Sequence, residues 1–356
     1  MNPASARFPA PVGFASGKGK VKYLMSRDRG ARGLRKYGRF ALATGAATAL
    51  SLTASGCVVV HGEREVLPAA KKSEATRALA GFLTAYNKAQ KANDRSLDAG
   101  RVTGALADID GAKLEAGHKT APAGNTDYTP LKLTDAKFAI PAKAGWPRWF
   151  VADTASNRDK NRWVLVFTRG SANDVWQVSY LTALAPADVP RFKKDKDGWA
   201  EPVTADDAAL AVRPQKLGAA YATYLKSGGD TFADGRFTSG LRAGRKKNAS
   251  KPGLARQYMD EPLNSGDHAP LGLRTTDGGA LVFFVTHHYE KQTAAQGVNI
   301  TVNDPNIKAL MTGDPKQSLT MEFVSNQAVL DPAKGSGDQR VTFLSKVAGL
   351  TAAKGE

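Results

Sequence analysis

The sequence predicts an α+β fold of two related units, each with N-terminal helices packed on a curved antiparallel sheet. Three observations predict it. In each half, apolar residues at helical spacing come first and strand-like runs follow, which is the order of α+β rather than of alternating α/β folds. Turn-forming clusters separate the runs: Asn157-Arg158-Asp159-Lys160-Asn161, Gly170-Ser171-Ala172-Asn173 and Gly335-Ser336-Gly337-Asp338. Three short matches also recur in one order, at offsets of 138, 135 and 140 residues. They are Leu79, Tyr86 and Lys88 with Leu217, Tyr224 and Lys226; Gly100 to Leu106 with Gly235 to Leu241; and Pro130-Leu131-Lys132-Leu133 with Pro270-Leu271-Gly272-Leu273.

The elements follow in chain order. Ala75, Ala78, Leu79, Phe82, Leu83, Tyr86 and Ala89 lie at i, i+3, i+4 spacing, so a helix is expected there. Ser73 suits its N-cap and Glu74 its first turn. A second, glycine-interrupted helix follows, then strands at 131–140, 148–154, 162–168 and 174–182. In the second half Leu217, Ala220, Tyr221, Tyr224 and Leu225 form the helical stripe, with Pro214 near its start. Another glycine-interrupted helix leads to strands at 279–290, 317–329 and 339–347. Leu319, Met321 and Phe323 alternate with Thr320 and Glu322, giving that strand one buried face. The domains expected are 73–184 and 206–350, joined by a linker at 185–205 that holds Pro186, Pro190 and Pro202, with a tail at 351–356.

The chain has 356 residues, 42% of them apolar, which is enough for two packed units. Its formal charge of +17 suggests a nucleic-acid binder until the charge is located. Residues 1–56 hold +9 of it, and the remainder carries +8. That mild basicity suits a surface facing anionic lipid or wall polymer, and no nucleic acid is expected as partner.

Residues 27–39 are basic, residues 40–52 (FALATGAATALSL) are uncharged, and Thr53-Ala54-Ser55-Gly56 lead into the single cysteine, Cys57. This is the order of an export signal, so residues 1–56 are assigned to it. Residues 1–24, rich in Pro, Gly, Ser and Lys, fit no fold and read as an upstream artefact with Met25 as the start, the alternative being a genuine disordered extension. An apolar run of 13 residues is short for a spanning helix, which needs roughly 20. The segment Leu52 to Cys57 resembles a bacterial lipobox. The resemblance implies a diacylglyceryl group on the Cys57 sulfur, cleavage between Gly56 and Cys57, and residence on the extracytoplasmic face of the cell membrane. Ala54 departs from the pattern, where Leu is usual; Ala54-Ser55-Gly56 also fits ordinary secretion with a free thiol. Residues 57–72 would form a tether reaching at most about 50 Å.

The long helix, second helix and curved sheet resemble the cone-shaped NTF2-like superfamily, and two copies fit the internal matches. Ile140-Pro141, Trp146-Pro147-Arg148-Trp149-Phe150-Val151, Val166-Phe167-Thr168-Arg169 and Trp176-Gln177-Val178 resemble uncharacterised lipoproteins of high-GC Gram-positive bacteria. That resemblance implies location and fold, and brings no functional residues with it.

Chemistry-bearing motifs are sparse. His287 and His288 are neighbours on an expected strand, so their rings point to opposite faces and cannot share a metal. His61, His118 and His268 stand alone. No G-x-S-x-G, H-E-x-x-H or phosphate-loop motif occurs. Tyr86, Tyr224 and Asp153 could line a cone pocket, although core packing accounts for both tyrosines. Trp146, Trp149, Trp163 and Trp176 could bind a sugar or an apolar ligand, or fill the sheet core. The densest basic run is Arg236, Arg242, Arg245, Lys246, Lys247, Lys251 and Arg256, in which Arg242, Arg245, Lys246 and Lys247 are the candidate contacts for an anionic surface. No metal, cofactor or catalytic residue is assigned. The expected role is a non-catalytic binding, scaffold or sensor module that works with an unidentified envelope protein. The alternatives are an enzyme using a cone pocket and the substrate-binding lipoprotein of an importer; the latter usually alternates β and α elements, a pattern absent here.

Overall fold

The computed structural model describes residues 65–356; the export signal, Gly56 and Cys57 lie outside the described residues. The chain enters through β1 (Leu67–Pro68) and α1 (Lys72–Ala92). The helix starts before the predicted cap: Lys71 is the N-cap and Ser73 lies inside the first turn. Glu74 secures that end, accepting the Lys71 backbone N–H at 3.4 Å. Asn93, in the left-handed region at φ 52°, closes the other end with its N–H on the Ala89 carbonyl. Next come α2 (Gly104–Thr120), β2 (Leu133–Ala139), β3 (Ala142–Lys143), β4 (Arg148–Ser156), β5 (Arg162–Arg169) and β6 (Gln177–Leu184). Strands β2, β4, β5 and β6 form an antiparallel meander in that order. Bulges in the β2–β4 and β5–β6 ladders curve it.

The second half runs β7 (Pro202–Val203), α3 (Leu217–Ser227), α4 (Ser239–Asn248), β8 (Ser250–Lys251), β9 (Leu254–Leu263), β10 (Leu271–Arg274), β11 (Ala280–Ala294), α5 (Pro305–Leu310), β12 (Met311–Thr312), β13 (Ser318–Asp331) and β14 (Thr342–Gly355). Here β11, β13 and β14 form the long antiparallel centre, bulged twice between β13 and β14. One edge of β11 is shared: β10 pairs with its beginning and β9 with its remainder. Each half therefore reads helix, helix, antiparallel meander.

Four layers result. Ala75, Ala78, Leu79 and Phe82 of α1 pack on Phe150, Leu165 and Phe167, with the Phe150 and Phe167 rings stacked at 4.8 Å. The opposite face of that sheet, with Trp149, Val151, Val164, Val166 and Tyr180, meets Leu273, Leu281, Phe283 and Val285 of the second sheet. The far face of the second sheet, with Val282 and Phe284, receives Leu217, Tyr221 and Tyr224 of α3. Both sheets are thus covered on both sides, which is why Trp149 to Ala152 and Leu281 to Val285 are continuous buried runs rather than alternating ones.

The ends of the expected segments are drawn in. Ala69 and Ala70, assigned to the tether, are buried beside the β1–β3 pair. The connection 185–205 is packed: Val189 and Phe192 lie against the inter-sheet core, and Lys193 N–H donates to the Arg274 carbonyl at 2.9 Å. Residues 351–355 are no tail but the end of β14, paired with β13. Two-residue ladders and a strand end that depends on a distant partner leave no periodicity to read.

Candidate functional site

Helices α3 and α4 and strand β9 border an open cleft of about 1260 Å³ whose lining takes in residues from both faces of β9 and extends to Tyr289 and Lys291 of β11. Helix α4 is short and basic, so its inward residues bring charge to this wall. Arg242, Arg245 and Lys246 all line the cleft; Lys247 is exposed and does not. Lys226 of α3 joins them.

Arg245 is held as a bidentate pair: Nη1 donates to Asp260 Oδ2 at 2.5 Å and Nη2 to Oδ1 at 2.9 Å. Both side chains are largely withdrawn from solvent, 11% and 6% exposed, and the guanidinium lies over the Tyr258 ring at 4.8 Å. Behind them, by ladder register, Lys346 of β14 and His288 of β11 face the same side of the sheet as Phe284. Burial, with the Arg245 charge beside it, pulls the Lys346 ammonium down to about 8, against the pull of Asp260. Burial, then the charges of Lys346, Arg245 and His287, holds His288 well below the usual imidazole range. His288 is therefore neutral, stacked on Phe323 at 4.6 Å. Beneath this group Gln327, Thr286 and Ser325 form a buried hydrogen-bonded set.

Arg242, by contrast, pairs with no acid among the described residues. Its guanidinium lies over the Tyr224 ring at 5.4 Å and against Gly228, where a Cβ would stand 2.8 Å from Nη1. Gly228, at φ 81°, suits that position doubly. Among the described residues Lys226, Arg242 and Lys246 make no ion pair, whereas Lys291 reaches Glu356 at 3.8 Å.

The remaining candidates fall elsewhere. Asp153 pairs with Arg162 at 2.6 Å and borders a separate cavity of about 550 Å³. Trp149, Trp163 and Trp176 are buried core; Trp146 is half-buried, with Arg148 and Arg169 at 5.0 and 5.3 Å from its ring. Tyr224 is buried and Tyr86 half-buried, packed on Phe232 and Phe82 respectively. His287 and His288 face opposite sides of β11, His287 lying 3.5 Å from Glu322. His268 does not stand alone: its Nε2 is 2.7 Å from Asp108 Oδ2, which raises its pKa, and the pair joins the two halves across 160 residues. Sequence spacing carries no trace of that contact. Nor did it single out Asp98 and Asp110, buried together in the first half, where burial and the neighbouring Asp110 push the Asp98 carboxyl up to about 7. Asp260 and Lys346 were also missed, since β9 was not predicted and a lysine on an alternating strand reads as solvated.

The family model for a domain of unknown function, DUF8094, matches residues 66–355. The chain belongs to this family. It is 58% identical over 333 residues to an uncharacterized lipoprotein of Streptomyces coelicolor, covering 93% of this chain and 100% of that relative. A second uncharacterized lipoprotein of the same organism is 29% identical over 227 residues, covering 59% of this chain and 62% of the relative. The predicted resemblance to lipoproteins of high-GC Gram-positive bacteria is therefore sound. No solved structure matches. Among the described residues no helix is long and apolar enough to cross a membrane.

Proposed function

We propose that this chain is exported, lipidated on Cys57 and held on the outer face of the cytoplasmic membrane, where it acts as a non-catalytic binding module of the cell envelope. The observation that carries the reading is the full-length match to a protein named a lipoprotein, in a chain whose one cysteine follows a basic segment, an apolar run and small residues. A diacylglyceryl anchor supplies two chains, each buried methylene contributing about 0.8 kcal/mol, so attachment is stable without a spanning helix. Repetition of helix, helix and meander in both halves supports an origin by duplication of an NTF2-like unit. The non-catalytic reading draws on the cleft chemistry. Its one carboxylate, Asp260, has both oxygens engaged by Arg245, which leaves them occupied rather than free to accept a substrate proton.

The test of the anchor is metabolic labelling with a fatty acid in a Gram-positive host, wild type beside Cys57→Ala. Label and membrane partition are expected in the wild type and not in the variant. Equal partition of both, with neither labelled, would overturn the assignment.

A further inference from the structure

We infer that the α3–α4–β9 cleft is a binding site for a phosphodiester-bearing anion, taken up by Arg242, Lys226 and Lys246 at its mouth and set against the Arg245–Asp260 pair in its wall. This deepens the binding-module reading and rests on it.

The argument begins with charge balance. Five cations line the cleft, Lys226, Arg242, Arg245, Lys246 and Lys291, and one acid, Asp260. That acid is spent on Arg245, and Lys291 has Glu356. Among the described residues Lys226, Arg242 and Lys246 make no ion pair, the two lysines exposed and Arg242 half-buried; a fourth cation, Lys346, stands half-buried with its ammonium 5.8 Å from the Tyr221 ring and within the fields of Arg245 and Asp260. A cluster of like charges repels itself, and one drawn away from water is costly unless a counter-charge joins it. Among the described residues none forms an ion pair with Lys226, Arg242 or Lys246, so an incoming anion would meet donors with no carboxylate of their own.

Geometry adds to charge. Arg242 is fixed by a ring and a glycine rather than by a carboxylate. Stacking engages the face of the guanidinium and leaves its N–H edges available, the arrangement suited to two oxygens of one phosphorus. Lysines 226 and 246 add point charges on flexible stems, which favour a multiply charged or repeating anion over a single carboxylate. The cavity is also far larger than one phosphate, so the groups flanking the phosphorus would sit inside it. Tyr258, over whose ring the Arg245 guanidinium lies, gives them an amphipathic wall. A membrane-anchored protein meets phosphodiesters from two sources, lipid headgroups and soluble glycerol-phosphate polymer, and both present the same group.

The experiment uses the full chain carrying Cys57→Ala, so that no acyl chain contributes to binding. Calorimetry with a soluble glycerol-phosphate oligomer and co-sedimentation with phosphatidylcholine vesicles, with and without equimolar phosphatidylglycerol, form the two arms. Binding in at least one arm is expected. It should weaken on the order of tenfold in Arg242→Gln and again in Lys246→Gln, the loss of one charge-assisted hydrogen bond each. The control Lys316→Gln, on the turn before β13, should leave it unchanged. Binding of the oligomer assigns the cleft to soluble polymer, and binding of the vesicles alone assigns it to headgroups. Absence of binding in both arms, or equal weakening by the control, overturns the site, with circular dichroism confirming that each variant is folded. A failed labelling of Cys57 would leave this result standing, and the reverse also holds.

Discussion

Arg245 and Asp260 show what a single pair can decide. Both side chains are largely withdrawn from solvent, yet the neighbourhood is net cationic because Lys346 adds a second positive charge beside the one acid, Asp260. Removing Asp260 leaves two cationic side chains facing each other with no counter-charge. Breaking a buried pair from one side costs about 3–5 kcal/mol, whereas replacing both partners by apolar groups of similar volume is often near neutral. Asp260→Ala is therefore expected to lower urea stability by that order, and Arg245→Met with Asp260→Leu by much less. If the double replacement were as damaging as the single one, the pair would be contributing packing rather than charge compensation. The same residues explain why the site was half legible. Arg242, Arg245 and Lys246 stand out in sequence as a basic run on a helix. Asp260 lies 15 residues away on a strand with no clear apolar pattern, so its role depends on a tertiary contact.

At the scale of elements, the long buried strands were readable and the edges were not. Segments 148–154, 162–168 and 317–329 coincide with β4, β5 and β13 within a few residues, because their Val, Phe and Trp content has one consistent use. Strand β9 was missed: Leu254-Ala255-Arg256-Gln257-Tyr258-Met259 runs apolar and polar residues in pairs rather than in alternation, and its order comes from pairing with β11. Helix α2 was expected from its pattern, but its destination was not. It crosses β14 so closely that a Cβ on Gly349 would lie 2.6 Å from Ile109 Cγ2. Nothing on the β14 side except a glycine allows that approach, and overpacking of this kind costs typically about 1–3 kcal/mol. Gly349→Ala is expected to destabilise by that amount in thermal unfolding. Adding Ile109→Ala should return part of the loss, because it empties the space the new methyl needs. Additive loss in the double variant would place the strain elsewhere.

At the scale of the whole molecule, the decisive feature is the stacking of the two sheets. Trp149, Val151, Val164, Val166 and Tyr180 face Leu273, Leu281, Phe283 and Val285. Around this core lie the Tyr180 hydroxyl donating to the Ala269 carbonyl at 2.8 Å, Asn326 donating to the Leu181 carbonyl at 3.2 Å, and the Asp108–His268 pair. Helix, helix and meander recur in the two halves, and this shared core ties the halves into one body. Separating them would expose an apolar face beyond the few hundred Å² that soluble monomers tolerate. Residues 206–356 expressed alone are accordingly expected to aggregate or to lose fixed packing. The intact chain offers a sharper test, because all five tryptophans lie at or before Trp199. Tryptophan fluorescence therefore reports on the first half and its connection, while far-ultraviolet circular dichroism reports on both halves. One cooperative unit requires the two probes to give coincident transitions on heating. A fluorescence transition displaced from the dichroism transition would mean that the first half melts separately from the second, and the halves would then behave as docked domains.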